Sequence, residues 1–527
     1  MRSRARPLAA VGVVLLVLAS CNGDDDAVGD GSPGGAFSIH TCEPQTLLPQ
    51  DSTQVCGSMV LGAIFSGLME NDPETFEPVP VVASSVDSDD ARNWRITLRD
   101  DFTFHDGTPV TAQSFVDAWN FAVDPTNDMQ NAGFFSDFVG FDEVQGGEAA
   151  EMAGLQAPDE TTITVELVEP FAAFESALAY TAFYPLPEAA FEDPEAFGRA
   201  PIGNGRYEVE GEWEQDQQIV TSRFEDWPGD DPGLADEVTW RIAADPGAAY
   251  ADVRQGDLDI LDTVPPEQDA AADEDFDGNV ERRATSTLTY LGFPLYDERF
   301  SSPELRRALS LAIDRQEIVD TVFQGTRIPA SALIPPVLPT HREGVCDACE
   351  HDPQRAADLF DEAGGWEGEL TVYFNSGADH EEWAELIAEQ WQEHLGIEEV
   401  TFEAIDFATY LEQHQAREIT GPFRLGWVLT YGSPQYALEP LFRTGAPANH
   451  FEYSDEEFDD LVDQAGSELD TARAGELYQQ AEEVVLADLP LAPLWYERQT
   501  VVHSDRVTNV IVDPRTFVRV ERVEVLD

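Results

Sequence analysis

Five cysteines, nine histidines and 103 carboxylates are the side chains of this 527-residue sequence suited to metal ligation, disulfide pairing or acid–base chemistry. His341, Cys346, Cys349 and His351 fall within eleven positions. Cys-x-x-Cys with flanking histidines can hold zinc. The same cysteines can instead bond to each other, as can Cys42 and Cys56. Beyond Cys21 near the N-terminus these four remain, and local pairing is the simplest of three connectivities. Outside the cell the disulfide reading takes precedence over the metal. Asp273, Asp275 and Asp277, with Gly278, fit the first half of a calcium loop, but Ala284 stands where a bidentate glutamate is needed. Calcium is thus a weak candidate at these three positions; no other metal and no cofactor is expected. His105-Asp106 could be misread as a catalytic pair. Followed by Gly107, which tolerates positive φ, it reads as a tight turn. There is no Gly-x-Ser-x-Gly elbow, and His380-Glu381-Glu382 lacks the second histidine of a zinc protease. Two carboxylates suffice for glycoside hydrolysis, so a secreted lipoprotein hydrolase acting on peptides or glycans stands as the alternative to a non-enzymatic binder.

The elements that would position such residues alternate between strand and helix, as in an α/β protein. Trp94–Leu98, Ile163–Val168 and Leu370–Phe374 are short β-rich runs. Ser302-Pro303 opens a helix, serine as cap and proline in the first turn. Leu305, Ala308, Leu309, Ala312 and Ile313 then recur at helical spacing on one face. Asp314 with Glu317 resembles a capping box that restarts a helix through Val322. Thr471 opens another, with Leu477, Ala481, Val484 and Val485 as its buried stripe, ending before Pro490.

Arg2, Arg4 and Arg6 precede an apolar run from Leu8 to Ala19. About a dozen residues are too few to span roughly 30 Å of hydrocarbon, so residues 1–20 read as a signal peptide. Leu18-Ala19-Ser20-Cys21 resembles a bacterial lipobox, whose cysteine is lipidated. Residues 21–36 are then the lipidated Cys21 and a Gly- and Asp-rich flexible tether. The expected location is extracytoplasmic, anchored by lipid to the outer face of the cell membrane.

All 29 basic residues are arginine, and the formal net charge is −74. Such a surface repels nucleic acid, which excludes that partner. A composition that is 42% hydrophobic and 10% aromatic supports a large core, not disorder. At low salt this charge destabilises the compact state. Near 1 M salt the Debye length falls to about 3 Å and screens most of it, so a halophilic, acidic-proteome setting is expected.

Taken together, the motifs resemble the family 5 extracellular solute-binding proteins of ABC importers, the oligopeptide, dipeptide and nickel type. Phe104–Ala112 (FHDGTPVTA) is similar to the family block after its first strands. Pro201–Tyr207, Gly256–Ile260, Leu305–Arg315, Gly426-Trp427 and Leu489–Tyr496 follow in family order. The resemblance covers roughly residues 40–515. It implies an α/β, two-lobed periplasmic-binding-protein-like fold with an extra subdomain and a ligand cleft between the lobes. Lobe 1 is expected over 37–288, with the inserted subdomain at about 65–190, lobe 2 over 289–492, and a return to lobe 1 over 493–527. Crossings are expected near Leu288–Phe293 and Leu491–Tyr496. The implied function is capture of peptides or a related small solute by hinge closure and delivery to an ABC permease, by a monomer. Glycans, opines and metal chelates are other ligands of the family. Trp427, Thr430, Tyr431, Arg443, Asn449 and Trp495 are the implied ligand-binding positions. Thr430 stands where peptide-binding members have an aspartate for the peptide amino group, and a neutral hydroxyl cannot make that charge pair. Asn204, Arg206 and Pro294 also depart from the family pattern.

Overall fold

The computed structural model describes residues 34–229, 231–377 and 380–526. The expected signal peptide, Cys21 and the tether through residue 33 lie outside these. Strand begins at Ala36, the last residue expected in the tether, where Ala36–Thr41 pairs in parallel with Glu237–Ile242.

Two strands of 13 residues each, Val280–Gly292 and Leu491–His503, organise the molecule. They run antiparallel, with a register break between Ala284 and Leu288. Before the break, Val280–Ala284 pairs with the Arg498–Val502 stretch. On that side the sheet continues through Ile260–Leu261, Ala36–Thr41, Glu237–Ile242, Gln218–Arg223 and Tyr207–Val209. After the break, Leu288–Gly292 pairs with Phe423–Trp427, and Glu369–Asn375 and Glu399–Ile405 follow. One sheet therefore passes from one lobe to the other through these two strands. Extra residues in a ladder bend the strand and raise its twist, so the paired strands bend at this register break. Both segments expected as crossings lie on these strands or at their ends.

A separate antiparallel sheet, in the order Ala83–Ser88, Asn93–Leu98, Thr162–Glu166, Leu155–Asp159, lies within the span expected for an inserted subdomain. Trp94, Ile96 and Leu98 are buried on one face while Arg95 is exposed, the period-two pattern of a half-buried strand. Trp119 anchors this unit. It packs against Phe115, Phe135, Phe138 and Phe183 and donates its indole N–H to the Phe183 carbonyl at 3.1 Å.

The capped helices form for the reasons read from the sequence. Ser302 Oγ accepts from the Leu305 N–H at 3.3 Å to start Pro303–Leu311, and Asp314 accepts from the Glu317 N–H at 2.9 Å to start Arg315–Thr321. The helix Thr471–Asp488 takes its cap from Asp470, one residue earlier than Thr471. His105-Asp106-Gly107 is a turn. Asp106 accepts from Thr108 N–H at 2.9 Å, and Gly107 sits at φ 83°. His105 Nδ1 accepts from Gly203 N–H at 3.2 Å while Nε2 donates to the Gly205 carbonyl at 3.2 Å. Burial lowers this imidazole to about 4, so it is a neutral fastener between two segments.

Cys42 is bonded to Cys56 and Cys346 to Cys349. With its thiols spent, the second pair offers no thiolates for zinc, and His341 and His351 turn instead to the Ile334 carbonyl and Asp314. The calcium-loop candidate is corrected too. Asp273 and Asp275 lie in the helix Pro266–Asp275, started by its N-terminal proline, and not in a loop. Asp273 chelates Arg282 at 2.8 Å, and Asp275 accepts from Tyr250 at 2.8 Å and pairs with Arg254, so these oxygens do not converge with Asp277 on one point.

Two departures from the family pattern have packing reasons. Asn204 is fully buried and grips the Ser66 backbone from both sides, accepting at 3.0 Å and donating at 2.9 Å. Arg206 pairs with Glu70 at 3.1 Å and stacks over Trp227 at 4.4 Å, while Arg519 near the C-terminus holds the same carboxylate and Glu521.

Candidate functional site

In open α/β sheets ligands lie beyond the carboxyl ends of the strands. Phe423–Trp427 ends at such a point, and Trp427 borders a cavity of about 540 Å³. One wall comes from residues 130–183 of the inserted unit and the other from residues 427–448 of the second lobe. Phe171, Phe174 and Phe183 line the first wall; Trp427, Tyr431 and Tyr436 line the second.

The helix Pro434–Phe442 sets the second wall. Ser433 caps it, accepting from the Gln435 N–H at 3.2 Å, and Pro434 fits its first position. Pro440 lies inside it. Proline has no N–H for the carbonyl four residues back, which leaves Tyr436 O in need of a donor. Trp427 Nε1 supplies it at 2.7 Å, and the two rings lie 5.4 Å apart. A break in the helix ladder thereby fixes the indole of the preceding strand end. Tyr431 is 5% exposed and donates to Gln435 Oε1 at 2.9 Å. Its ring crosses to the first lobe, 6.4 Å from Phe171, and packs within the first lobe's core.

Charge enters on the same helix. Gln435, Glu439 and Arg443 share a face by their four-residue spacing. Glu439 accepts from Tyr478 OH at 3.0 Å and from Gln435 Nε2 at 3.2 Å. Burial pushes its carboxyl up to about 7, against the pull of Gln435, Tyr478 and Arg443. Arg443 lies 2.5 Å from Asp463, 3.7 Å from Glu439 and 4.0 Å from Glu169. From the opposite wall Asp137 faces the same cavity with its carboxylate accessible. Desolvation and neighbouring Glu169 raise its carboxyl, and Arg443 lowers it.

The implied ligand-binding residues thus separate. Trp427, Tyr431 and Arg443 line one cavity. Thr430 is not among the lining residues, and its hydroxyl is buried without a hydrogen-bond partner among the described residues. Asn449 is 8% exposed, and its amide ties the loop together, donating to Arg443 O at 3.1 Å and Tyr453 O at 2.8 Å and accepting from Tyr453 N–H at 3.0 Å. Trp495 is 2% exposed in the second-lobe core, edge-on to Phe323 at 4.8 Å and Trp383 at 5.3 Å. Neither of these last two lines the cavity, because their loop and strand use them for packing. Sequence reasoning missed Glu439, Asp137 and Phe171. The spacing of Gln435, Glu439 and Arg443 was a usable signal; nothing distinguishes Asp137 among 103 acids. It also missed Arg424, which donates to Asn375 Oδ1 at 3.1 Å from the middle of the sheet. Burial lowers the Arg424 guanidinium, and its Nε is buried without a partner among the described residues.

Two α/β lobes joined by paired strands, with an aromatic and charged cavity between them, define a two-lobed solute-binding protein. The family model for bacterial extracellular solute-binding proteins, family 5, matches residues 77–449, and the chain belongs to that family. The glutathione-binding protein GsiB of Shigella dysenteriae serotype 1 is 28% identical over 530 residues, covering 97% of this chain and 96% of that protein. Its counterpart from Escherichia coli K12 is 27% identical over the same length and coverage. Among solved structures, the murein tripeptide binding protein MppA in its unliganded open form superposes with a TM-score of 0.83 at 24% identity, covering 94% of this chain and 99% of that one. Haemophilus influenzae OppA in complex with RPPGFSPFR gives 0.72 at 23% identity, covering 94% and 100%.

Proposed function

We propose that this chain is the substrate-binding component of an ABC importer, capturing short peptides by closure of its two lobes and passing them to a membrane permease. The observation that carries the reading is the cavity of about 540 Å³ walled by aromatic side chains from both lobes. A ligand there touches both walls at once, so it stabilises the closed arrangement by its differential affinity. The names of the similar proteins, binders of glutathione, a murein tripeptide and oligopeptides, support a peptide as the ligand class. Cys21 as lipid anchor and the following tether would hold a monomeric body at the outer membrane face beside its permease. Native mass spectrometry of protein purified in molar salt tests the ligand: a co-purified peptide of a few residues is expected. A bound glycan or metal chelate, or turnover of an added peptide, would contradict the reading.

A further inference from the structure

The side chains that line the cavity carry an uneven charge. Arg443 is its cation, and that guanidinium is already shared among Asp463, Glu439 and Glu169, all within 4.0 Å. Two carboxylates also face the cavity, Asp137 from the inserted unit and Glu439 from the second lobe, and Arg443 is the one cation among the lining residues that serves either of them. The hydrogen bonds to Glu439 come from a phenol and an amide, both neutral. Asp137 sits beside Glu169 with Arg443 as its nearest positive influence. Between these acids the walls are rings. Phe171 and Phe174 lie 6.3 Å apart, and Tyr431 and Tyr436 lie 4.6 Å apart. Residue 430, next to Tyr431 of the cavity wall, is a threonine and offers no charge.

We infer that this cavity receives the first residue of the ligand: Asp137 and Glu439, one from each lobe, bind its cationic amino group, and the aromatic walls enclose a bulky apolar side chain. Because they come from opposite lobes, the ammonium group also ties the closed state together. An acidic first residue meets like charge, with Arg443 already committed, so the selectivity runs against glutathione, whose γ-glutamyl residue carries a free carboxylate beside the amine. The inference rests on the peptide reading above and deepens it.

Calorimetric titration in 2 M KCl separates the two. The probes are Phe-Ala-Ala, N-acetyl-Phe-Ala-Ala, Asp-Ala-Ala and glutathione, against the wild-type chain and the Asp137→Asn and Glu439→Gln variants. Wild type should bind Phe-Ala-Ala at least about tenfold more tightly than its acetylated form, in line with a lost charge-assisted bond, and more tightly than Asp-Ala-Ala or glutathione. Each variant should shrink the preference for the free amine, leaving acetylated-peptide affinity near that of wild type. Equal binding of free and acetylated peptide by wild type overturns the inference and leaves the peptide reading standing. So does an amine preference that survives both substitutions. Failure of every peptide to bind folded wild-type protein overturns both. Thermal melts of each variant confirm folding; if Glu439→Gln does not fold, the accessible Asp137→Asn variant decides alone.

Discussion

Glu439 carries the most testable consequence at the scale of single residues. Burial holds its carboxyl up to about 7 in the folded chain, above the ordinary 4.5. The folded state therefore binds a proton more tightly than the unfolded state. Its contribution to stability is full below pH 4.5 and is lost as pH rises through 7. Melting temperature measured from pH 5 to 8 should fall less in Glu439→Gln than in wild type; parallel curves would show that the carboxyl is not held protonated. Glu70 has the opposite sign. It is half-buried, and Arg206 and Arg519 hold it down to about 2 against the pull of desolvation, so its contribution is present above 4.5 and lost as pH falls toward 2. Glu70→Gln should cost about 3 kcal/mol at neutral pH, because the buried Arg206 loses its carboxylate partner while Arg519 keeps only Glu521; denaturant melts measure it, and a loss under about 1 kcal/mol would contradict the network. Trp427 and Tyr431 are visible in the sequence because they occupy a motif with fixed neighbours. Asn449 and Trp495 mislead for the same reason: a motif places a residue in a segment, and the side chain's direction depends on partners remote in sequence, Tyr453 for the one and Phe323 and Trp383 for the other.

Among the elements, the hairpin of Met69–Asn71 and Pro78–Pro80 reaches from the first lobe to the second. Phe76, in its connecting loop, is 1% exposed and packs within the second lobe's core. Gly432 meets it: a Cβ there would lie 2.1 Å from the Phe76 carbonyl oxygen. Gly432→Ala should therefore push the lobes apart and weaken peptide binding by about tenfold or more while each lobe keeps its fold; unchanged affinity would mean that this contact does not set the closure. The bond between Cys42 and Cys56 closes a loop with a separation of 14 residues. For a loop of about 15 residues the expected stabilisation is about 3 kcal/mol, so the double serine variant should unfold at lower denaturant. Helix starts at Ser302 and Asp314 are legible because caps are local chemistry. The helix over Asp273 and Asp275 is not, because the same acids that mimic a calcium loop serve equally well beside Arg282 and Arg254. The crossing strands are legible only through family resemblance; their pairing over about 200 residues of chain has no local signal.

For the whole molecule, charge and hinge are the two properties that matter. With 103 acids against 29 arginines, the folded body repels itself in dilute buffer and is relieved by salt. Melting temperature should rise steeply between dilute buffer and molar NaCl; a flat response would remove the halophilic reading. The pairs inside the interlobe cavity are partly shielded from that salt, so peptide affinity should depend on it less than stability does. The lobes meet through two strands with a register break between Ala284 and Leu288 and enclose the cavity between Phe171 and Tyr431. On the function proposed above, a ligand bridging that gap draws the lobes together. Small-angle scattering in 2 M KCl, with and without saturating Phe-Ala-Ala, measures this directly. Saturation should give a smaller radius of gyration; an unchanged radius, with calorimetry showing the site full, would rule out closure on the ligand.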